Sequence, residues 1–181
     1  MTLLARQADK ETRKHETDQA ISLSPCLPVS VSTLVIGYGN DLRGDDGVGQ
    51  RVALSVARWR QPGVMALAAH QLTPELATWL VRAKFAIFVD AACAEDESSS
   101  PQFKRIGPSS VQLMRGHAGD PQVLLALTQL AYGSCPLALW ITIPARRFDF
   151  GADLSPTARC GAAAALRHIR TLIRTQGVSH A

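Results

Sequence analysis

The stretch Gly37-Tyr38-Gly39-Asn40-Asp41-Leu42-Arg43-Gly44-Asp45-Asp46-Gly47-Val48-Gly49 sets two adjacent carboxylates in a glycine-rich turn. Such a turn between a strand and a helix first suggests a dinucleotide cradle, in which a pyrophosphate rests on the bare, positive helix N-terminus. Two features depart from that pattern. The third glycine of G-x-G-x-x-G would fall on Leu42, and Asp45 and Asp46 stand where the phosphate would sit. They would repel an anion and compete for the same N–H groups. One aspartate at a helix start is a cap worth about 0.5–2 kcal/mol. A second beside it, flanked by glycines that admit a close ligand, suits a cation.

Two more residues extend this reading. Asp90 ends the apolar run Phe85-Ala86-Ile87-Phe88-Val89. A carboxylate at the carboxyl end of a central strand points into the crevice where open α/β sheets bind ligands. His117 lies in the small-residue loop Arg115-Gly116-His117-Ala118-Gly119-Asp120, just before a helix. Asp46, Asp90 and His117 together offer two oxygens and one nitrogen to a divalent ion, a set that suits nickel or zinc better than magnesium or calcium. The bland alternatives are a helix cap, a surface aspartate and an ordinary loop histidine.

Other candidates carry less. His70 could line the same rim or serve structure alone, and Gln71 and Glu75 open a helix, where Glu75 suits the dipole. Asp149-Phe150-Gly151 spells a kinase magnesium tripeptide without the rest of a kinase, and is read as chance. His15, His168 and His180 are read as solvated. No Ser or Cys stands in a G-x-S-x-G context.

The elements that must position these groups follow from the patterning. Thr33 to Tyr38 reads as a buried strand in a domain that begins at Ser32. Asp45 or Asp46 starts a helix with Val48, Val52, Leu54, Val56 and Trp59 as core candidates, ended by Gln61-Pro62-Gly63. Val64 to Ala69 is a second strand. Thr73 as N-cap and Pro74 at the first position open a helix through Leu76, Trp79 and Leu80. Phe85 to Asp90 has the continuous apolar character of a central parallel strand. Gln102 to Ile106 alternates like a half-exposed strand. Asp120-Pro121 opens a helix through Leu124, Leu125, Leu127 and Leu130, and Leu137 to Ile143 is a fifth strand. Ser155-Pro156 starts a last helix with Leu166, Ile169, Leu172 and Ile173 at helical spacing. This alternation implies an α/β fold with helices on a mostly parallel sheet.

Residues 1–30 are charged and patternless, and are read as a flexible extension that cannot offset its ordering entropy; residues 31–181 form one domain. The 181 residues suffice for a single core. The net charge of +4 arises without a Lys/Arg cluster interleaved with aromatics, so nucleic acid is not an expected partner. Cys26, Cys93, Cys135 and Cys160 form no C-x-x-C pair and read as reduced thiols. No apolar h-region follows Met1, and no apolar run approaches the roughly 20 residues of a membrane span. A cytoplasmic, soluble protein with no membrane partner is expected.

The pattern G-x-G-N-x-L-x-x-D-D-G-x-G, a strand ending in Asp90 and the Gly116-His117 loop resemble the hydrogenase maturation proteases. So do Gln71-Leu72-Thr73-Pro74-Glu75-Leu76 and the stretch from Ile143-Pro144-Ala145 through Phe150-Gly151 to Leu154-Ser155. The resemblance implies a three-layer α/β/α sandwich with a twisted, mostly parallel sheet of about five strands. It implies an endopeptidase that removes the C-terminal extension of a nickel–iron hydrogenase large-subunit precursor after nickel insertion. The family's three metal-contacting side chains carry over to Asp46, Asp90 and His117. The first is often Glu in the family and is Asp here, which draws the ligand back by one methylene. Asp41 stands where many relatives have an apolar residue or proline. The nickel is expected to belong to the substrate and to bind the free enzyme weakly or transiently, and the enzyme is expected to be a monomer. Two mechanisms fit: a metal-activated water attacks the scissile carbonyl, or the ligands sense the substrate's nickel and align its peptide. The alternatives are a non-catalytic nickel-binding accessory protein of hydrogenase assembly, a general metallopeptidase and a dinucleotide-binding oxidoreductase.

Overall fold

The computed structural model describes residues 31–94, 100–109 and 119–178, with side chains as far as residue 175. The expected N-terminal extension, His15, His117 and His180 lie outside the described residues. In chain order the elements are β1 (Val31–Tyr38), α1 (Val48–Ala57), β2 (Val64–Ala69), α2 (Ala77–Leu80), β3 (Ala83–Cys93), β4 (Gln102–Ile106), α3 (Pro121–Tyr132), β5 (Leu137–Ala145) and α4 (Pro156–Val178). The strands form one sheet in the order β2-β1-β3-β5-β4, parallel except for β4, which pairs antiparallel with β5 at the edge.

Strand alternation sorts side chains into two cores. On one face Val35, Ile87, Val89, Ile141 and Ile143 pack against Val48, Val52 and Val56 of α1 and Ala158, Ala165 and Ile169 of α4. On the other, Leu34, Ile36, Tyr38, Ala86, Phe88 and Ala138 meet Ala77 and Leu80 of α2 and Leu124 and Leu125 of α3. The result is a three-layer α/β/α sandwich. Val48, Val52 and Val56 recur every fourth residue and are all buried, each contributing about 1.5–3 kcal/mol. Leu54 is out of phase with that stripe and is exposed, against the sequence expectation. Trp59 packs at the margin of the core beneath the Arg170 guanidinium, 4.4 Å from the ring centroid.

Both late helix starts form as their residues dictate. Asp120 Oδ1 accepts from Gln122 N at 2.8 Å with Pro121 in the first turn, and Ser155 Oγ accepts from Ala158 N at 3.1 Å. The second helix is shorter than its pattern implies. A 3-10 turn at Pro74–Leu76 leads into a single α turn, and Thr73 is extended without a side-chain cap bond. Trp79 is exposed there, as is Leu130 at the far end of α3. His168 stacks on Phe103 of β4, ring centroids 4.2 Å apart, and so is not simply solvated. Cys93, Cys135 and Cys160 are free thiols.

The strand order fixes where a ligand can sit. From β1 the chain crosses by α1 to β2 on one side; it then returns past β1, by α2 on the opposite face, to β3. The loops leaving the carboxyl ends of β1 and β3 therefore part in opposite directions, which opens a crevice between them. Asp46 follows the first strand and Asp90 lies on the second.

A carboxylate pair at the switch point as candidate active site

The glycine-rich loop is folded tightly on itself. Gly39 has φ 126°, and a Cβ there would overlap the Asp46 carbonyl oxygen. Asn40 N donates to Asp46 Oδ2 at 3.0 Å, Leu42 N donates to Asn40 Oδ1 at 3.0 Å, and Gln50 Nε2 donates to the Gly39 carbonyl at 2.6 Å. Gly49, in the first turn of α1, seats the helix on the sheet: a Cβ there would overlap the carbonyl oxygens of Val89 and Tyr38. The helix start thus lies against the residue that precedes Asp90. Asp45 and Asp46 belong to a 3-10 turn, Gly44–Gly47, and neither side chain caps α1.

Asp45 has another task. It is fully buried and accepts four hydrogen bonds from the far end of the chain: Arg146 N at 2.8 Å, Arg147 N at 3.0 Å, Ser155 N at 2.6 Å and Ser155 Oγ at 2.7 Å. Burial alone would push its carboxyl up. The Arg146, Ser155 and Arg147 N–H groups and the Ser155 hydroxyl outweigh burial and hold it below its ordinary value. The expected cap is instead a tie between the glycine loop and the β5–α4 connection. Backbone bonds close the same seam: Gly44 N to Gly151 O at 2.7 Å, Gly151 N to Leu42 O at 2.9 Å and Asp45 N to Arg147 O at 2.8 Å. Arg51 also reaches across to the Ala152 carbonyl. Gly151, in the tripeptide read as chance, is therefore a support of the site, although nothing in it is kinase-like.

Asp90 does not terminate its strand. β3 and β5 continue together, with Asp90 opposite Thr142 and Cys93 opposite Ala145. Asp90 faces the α2–α3 side, as Ala86 and Phe88 do, and is partly buried. Burial raises its pKa to about 6 and the Asp46 charge adds to the rise; the Ala91 N–H, donating to Oδ1 at 2.7 Å, and the Tyr38 hydroxyl oppose it. The two predicted carboxylates thus sense each other across the crevice. Next to them, Tyr38 Oη and Trp140 Nε1 are buried without a well-formed hydrogen bond among the described residues. Burial first, and then the Asp90 and Asp120 carboxylates, push the Tyr38 hydroxyl far above its usual value, so it stays protonated.

The third predicted ligand, His117, lies outside the described residues; Asp120, three residues on, is placed by its cap at the start of α3 within electrostatic reach of Tyr38. Among the described residues no group of three or more His, Cys, Asp or Glu side chains is close enough to hold a metal ion. Of the three expected ligands, Asp46 and Asp90 lie within the described residues. Two carboxylates on this crevice, with burial lifting the Asp90 pKa to about 6 and the Asp46 charge adding to the rise, suit a divalent cation. His70 is exposed at the rim, and its carbonyl accepts from Gly39 N at 3.3 Å. Between the glycine loop and α1, Asp41, Leu42, Gln50, Arg51, Leu54, Ser55, Arg58 and Ala152 line a groove of ≈ 420 Å³. Leu42 and Phe150, on the two zipped loops, are exposed.

Tyr38, Gln50 and Trp140 were not singled out in the sequence, and Ser155 only as a helix start. Only Gly151 and Ser155, within the stretch resembling the protease family, carried any signal.

No protein-family model matches the chain, and no curated protein sequence matches it significantly. Solved structures do. The chain is similar to hydrogenase 2 maturation peptidase from Thaumarchaeota archaeon SCGC_AB-539-E09, with 25% identity, a TM-score of 0.60, and coverage of 78% of this chain and 97% of that one. It shares its fold with hydrogenase maturating endopeptidase HybD from E. coli at 20% identity and TM-score 0.61, over 81% of this chain and 94% of that one. It also shares it with the NiFe hydrogenase maturation protease HycI from Thermococcus kodakarensis KOD1 at 17% identity and TM-score 0.62, over 80% and 93%.

Proposed function

We propose, from the premise that the chain belongs to the hydrogenase maturation protease family, that it removes the C-terminal extension of a nickel–iron hydrogenase large-subunit precursor after nickel insertion. Family membership makes it a hydrolase of peptide bonds. In this reading Asp46, Asp90 and His117 contact nickel that the substrate carries, and the contact reports that the metal is loaded.

The observation that carries the reading is the placement of Asp46 and Asp90 at the crevice between β1 and β3, where burial, and the Asp46 charge after it, raise the cost of ionising Asp90. That cost is wasted unless a cation visits. The protein's residues have separable tasks. Asp46 is held by the Asn40 N–H, and Asp90 by the Ala91 N–H. Asp120 anchors the end of the His117 loop at the start of α3. The groove of Leu42, Leu54, Arg51 and Arg58 adjoins the glycine loop and is open to a stretch of substrate chain. Bound nickel would supply Lewis acidity and a fixed reference point for the scissile bond. Three ligands from the enzyme, two of them carboxylates, give the loose hold that release of a processed subunit requires. No helix among the described residues is long and apolar enough to cross a membrane, and we place the protein in the cytoplasm, acting as a monomer.

The test is incubation with nickel-loaded precursor. Mass spectrometry should show loss of the precursor's C-terminal peptide, abolished in His117→Ala and Asp90→Ala and absent with nickel-free precursor. Nickel capture without any cleavage would establish the accessory-protein reading instead. Cleavage of unrelated peptides would point to a general metallopeptidase.

A further inference from the structure

We propose that Tyr38 is a positioning residue for Asp90: its hydroxyl, backed by the Trp140 indole N–H, holds the Asp90 carboxylate in the orientation that meets the metal. The inference rests on the reading of Asp90 as a nickel contact and adds a layer behind it.

Register places the three side chains together. Gly37 pairs with Val89, so Tyr38 and Asp90 are neighbours at the carboxyl end of β1 and β3. Phe88 pairs with Trp140, and Asp90 with Thr142 on the next step along β5. Tyr38, Phe88, Ala138 and Trp140 all join the core on the α2–α3 face. Tyr38 is only 5% exposed, yet its Oη, like Trp140 Nε1, makes no well-formed hydrogen bond within the described residues. Two polar atoms buried in one apolar layer are costly, and phenylalanine in place of Tyr38 would fill its space without that cost. Their proximity to Asp90 accounts for them.

Chemistry allows one order of donation. An indole N–H only donates and an ionised carboxylate only accepts, so the hydroxyl between them must accept from Trp140 and donate to Asp90. Neither bond is formed with full hydrogen-bond geometry among the described residues. A cation drawing Asp90 into its ligating position would close these bonds, as partners behind metal ligands commonly do. Tyr38 leaves β1 just before the glycine loop that bears Asp46, so it links the two halves of the carboxylate pair.

The experiment is titration of the full chain with Ni²⁺ alone, by calorimetry and by following the indole N–H resonances, with Trp140 assigned from Trp140→Phe. Tyr38→Phe should weaken nickel binding by about 10-fold or more, with a thermal midpoint unchanged or higher. The Trp140 resonance should move on nickel addition in the parent and stay fixed in Tyr38→Phe. Parent-like nickel affinity in Tyr38→Phe, alongside a loss in Asp90→Ala, overturns the positioning role and leaves the ligand reading intact. Parent-like affinity in Asp90→Ala overturns the ligand reading and this inference with it, and no binding by the parent overturns this inference alone.

Discussion

Asp45 and Ser155, 110 residues apart in the chain, share two hydrogen bonds, from Ser155 N to Oδ1 at 2.6 Å and from Ser155 Oγ to Oδ2 at 2.7 Å. Ser155 Oγ also takes the Ala158 N–H at the start of α4. One buried carboxylate thus ties the loop after β1 to the first turn of the last helix. Asp45→Asn presents an amide N–H₂ to donors that need an acceptor. It should destabilise the protein by about 3 kcal/mol or more, since each stranded donor costs about 1–3 kcal/mol. The pH dependence has a definite sign. The folded pKa of Asp45 lies below its unfolded value of about 3.9, so its stabilisation is complete above that value and is lost as pH falls through the folded pKa. Thermal midpoints measured from pH 7 down to pH 2 should fall steeply at the acid end in the parent and less steeply in Asp45→Asn.

Asp90 has the opposite sign. Its folded pKa of about 6 exceeds the unfolded value of about 3.9. Between those values the folded protein binds more protons than the unfolded chain, so stability falls as pH rises from about 4 to 6 and stays lower above. Asp90→Asn keeps an oxygen for the Ala91 N–H and removes the charge. In the metal-free protein at pH 7.5 it should gain about 1–2 kcal/mol, discounted from about 1.4 kcal/mol per pKa unit for the partial exposure of the group. The same variant should lose cleavage of nickel-loaded precursor by at least about 100-fold. A parallel loss of stability and activity would count against a site that stores electrostatic strain.

The readable parts of this molecule are those set by nearby residues. Apolar runs ending at Tyr38 and around Val89 mark strands because they are covered on both faces, and Asp120-Pro121 and Ser155-Pro156 mark helix starts because cap and proline act within one turn. Asp46 and Asp90 could be placed at one rim for the same reason, each lying near the end of a legible element. Long-range effects were hidden. Asp45 looked like a cap because its true partners at 146, 147 and 155 leave no local pattern. Ala91-Ala92-Cys93 lacks strand-forming bulk and is strand only because β5 runs beside it to Ala145. Tyr38 read as one more apolar residue, since nothing local shows that its hydroxyl is buried beside a carboxylate.

Gly49→Ala tests how tightly the carboxylate pair depends on backbone contact. The new Cβ would overlap the carbonyl oxygens of Val89 and Tyr38, both backbone atoms of central strands that cannot turn aside. The start of α1 must lift off the sheet, carrying Asp46 away from Asp90. The expected cost is about 1–3 kcal/mol, as for other overpacked sites. Nickel affinity of the folded fraction should fall together with the thermal midpoint. Gly107→Ala, where no atom lies within 4 Å of the added carbon, is the control and should change neither.

Phe150 separates docking from folding. Its side chain is 90% exposed, so Phe150→Ser forfeits almost no buried area and should leave the thermal midpoint within about 0.5 kcal/mol of the parent. Its neighbour Gly151 is bonded to Leu42 across the seam, and Leu42, 63% exposed, lines the groove between the glycine loop and α1. Two large apolar side chains held in water on loops pinned at the rim cost the free protein solvation and return nothing to its fold. Contact with an arriving precursor would recover that cost. Cleavage by Phe150→Ser should therefore show KM raised by about 5-fold or more, equivalent to about 1 kcal/mol, with kcat close to the parent's. Leu42→Ser should do the same, and the double variant should combine less than additively if both touch one segment of substrate. An unchanged KM in both would place the docking surface elsewhere on the rim, whereas a fall in kcat alone would mean that the loops serve the chemistry and not the capture of the chain.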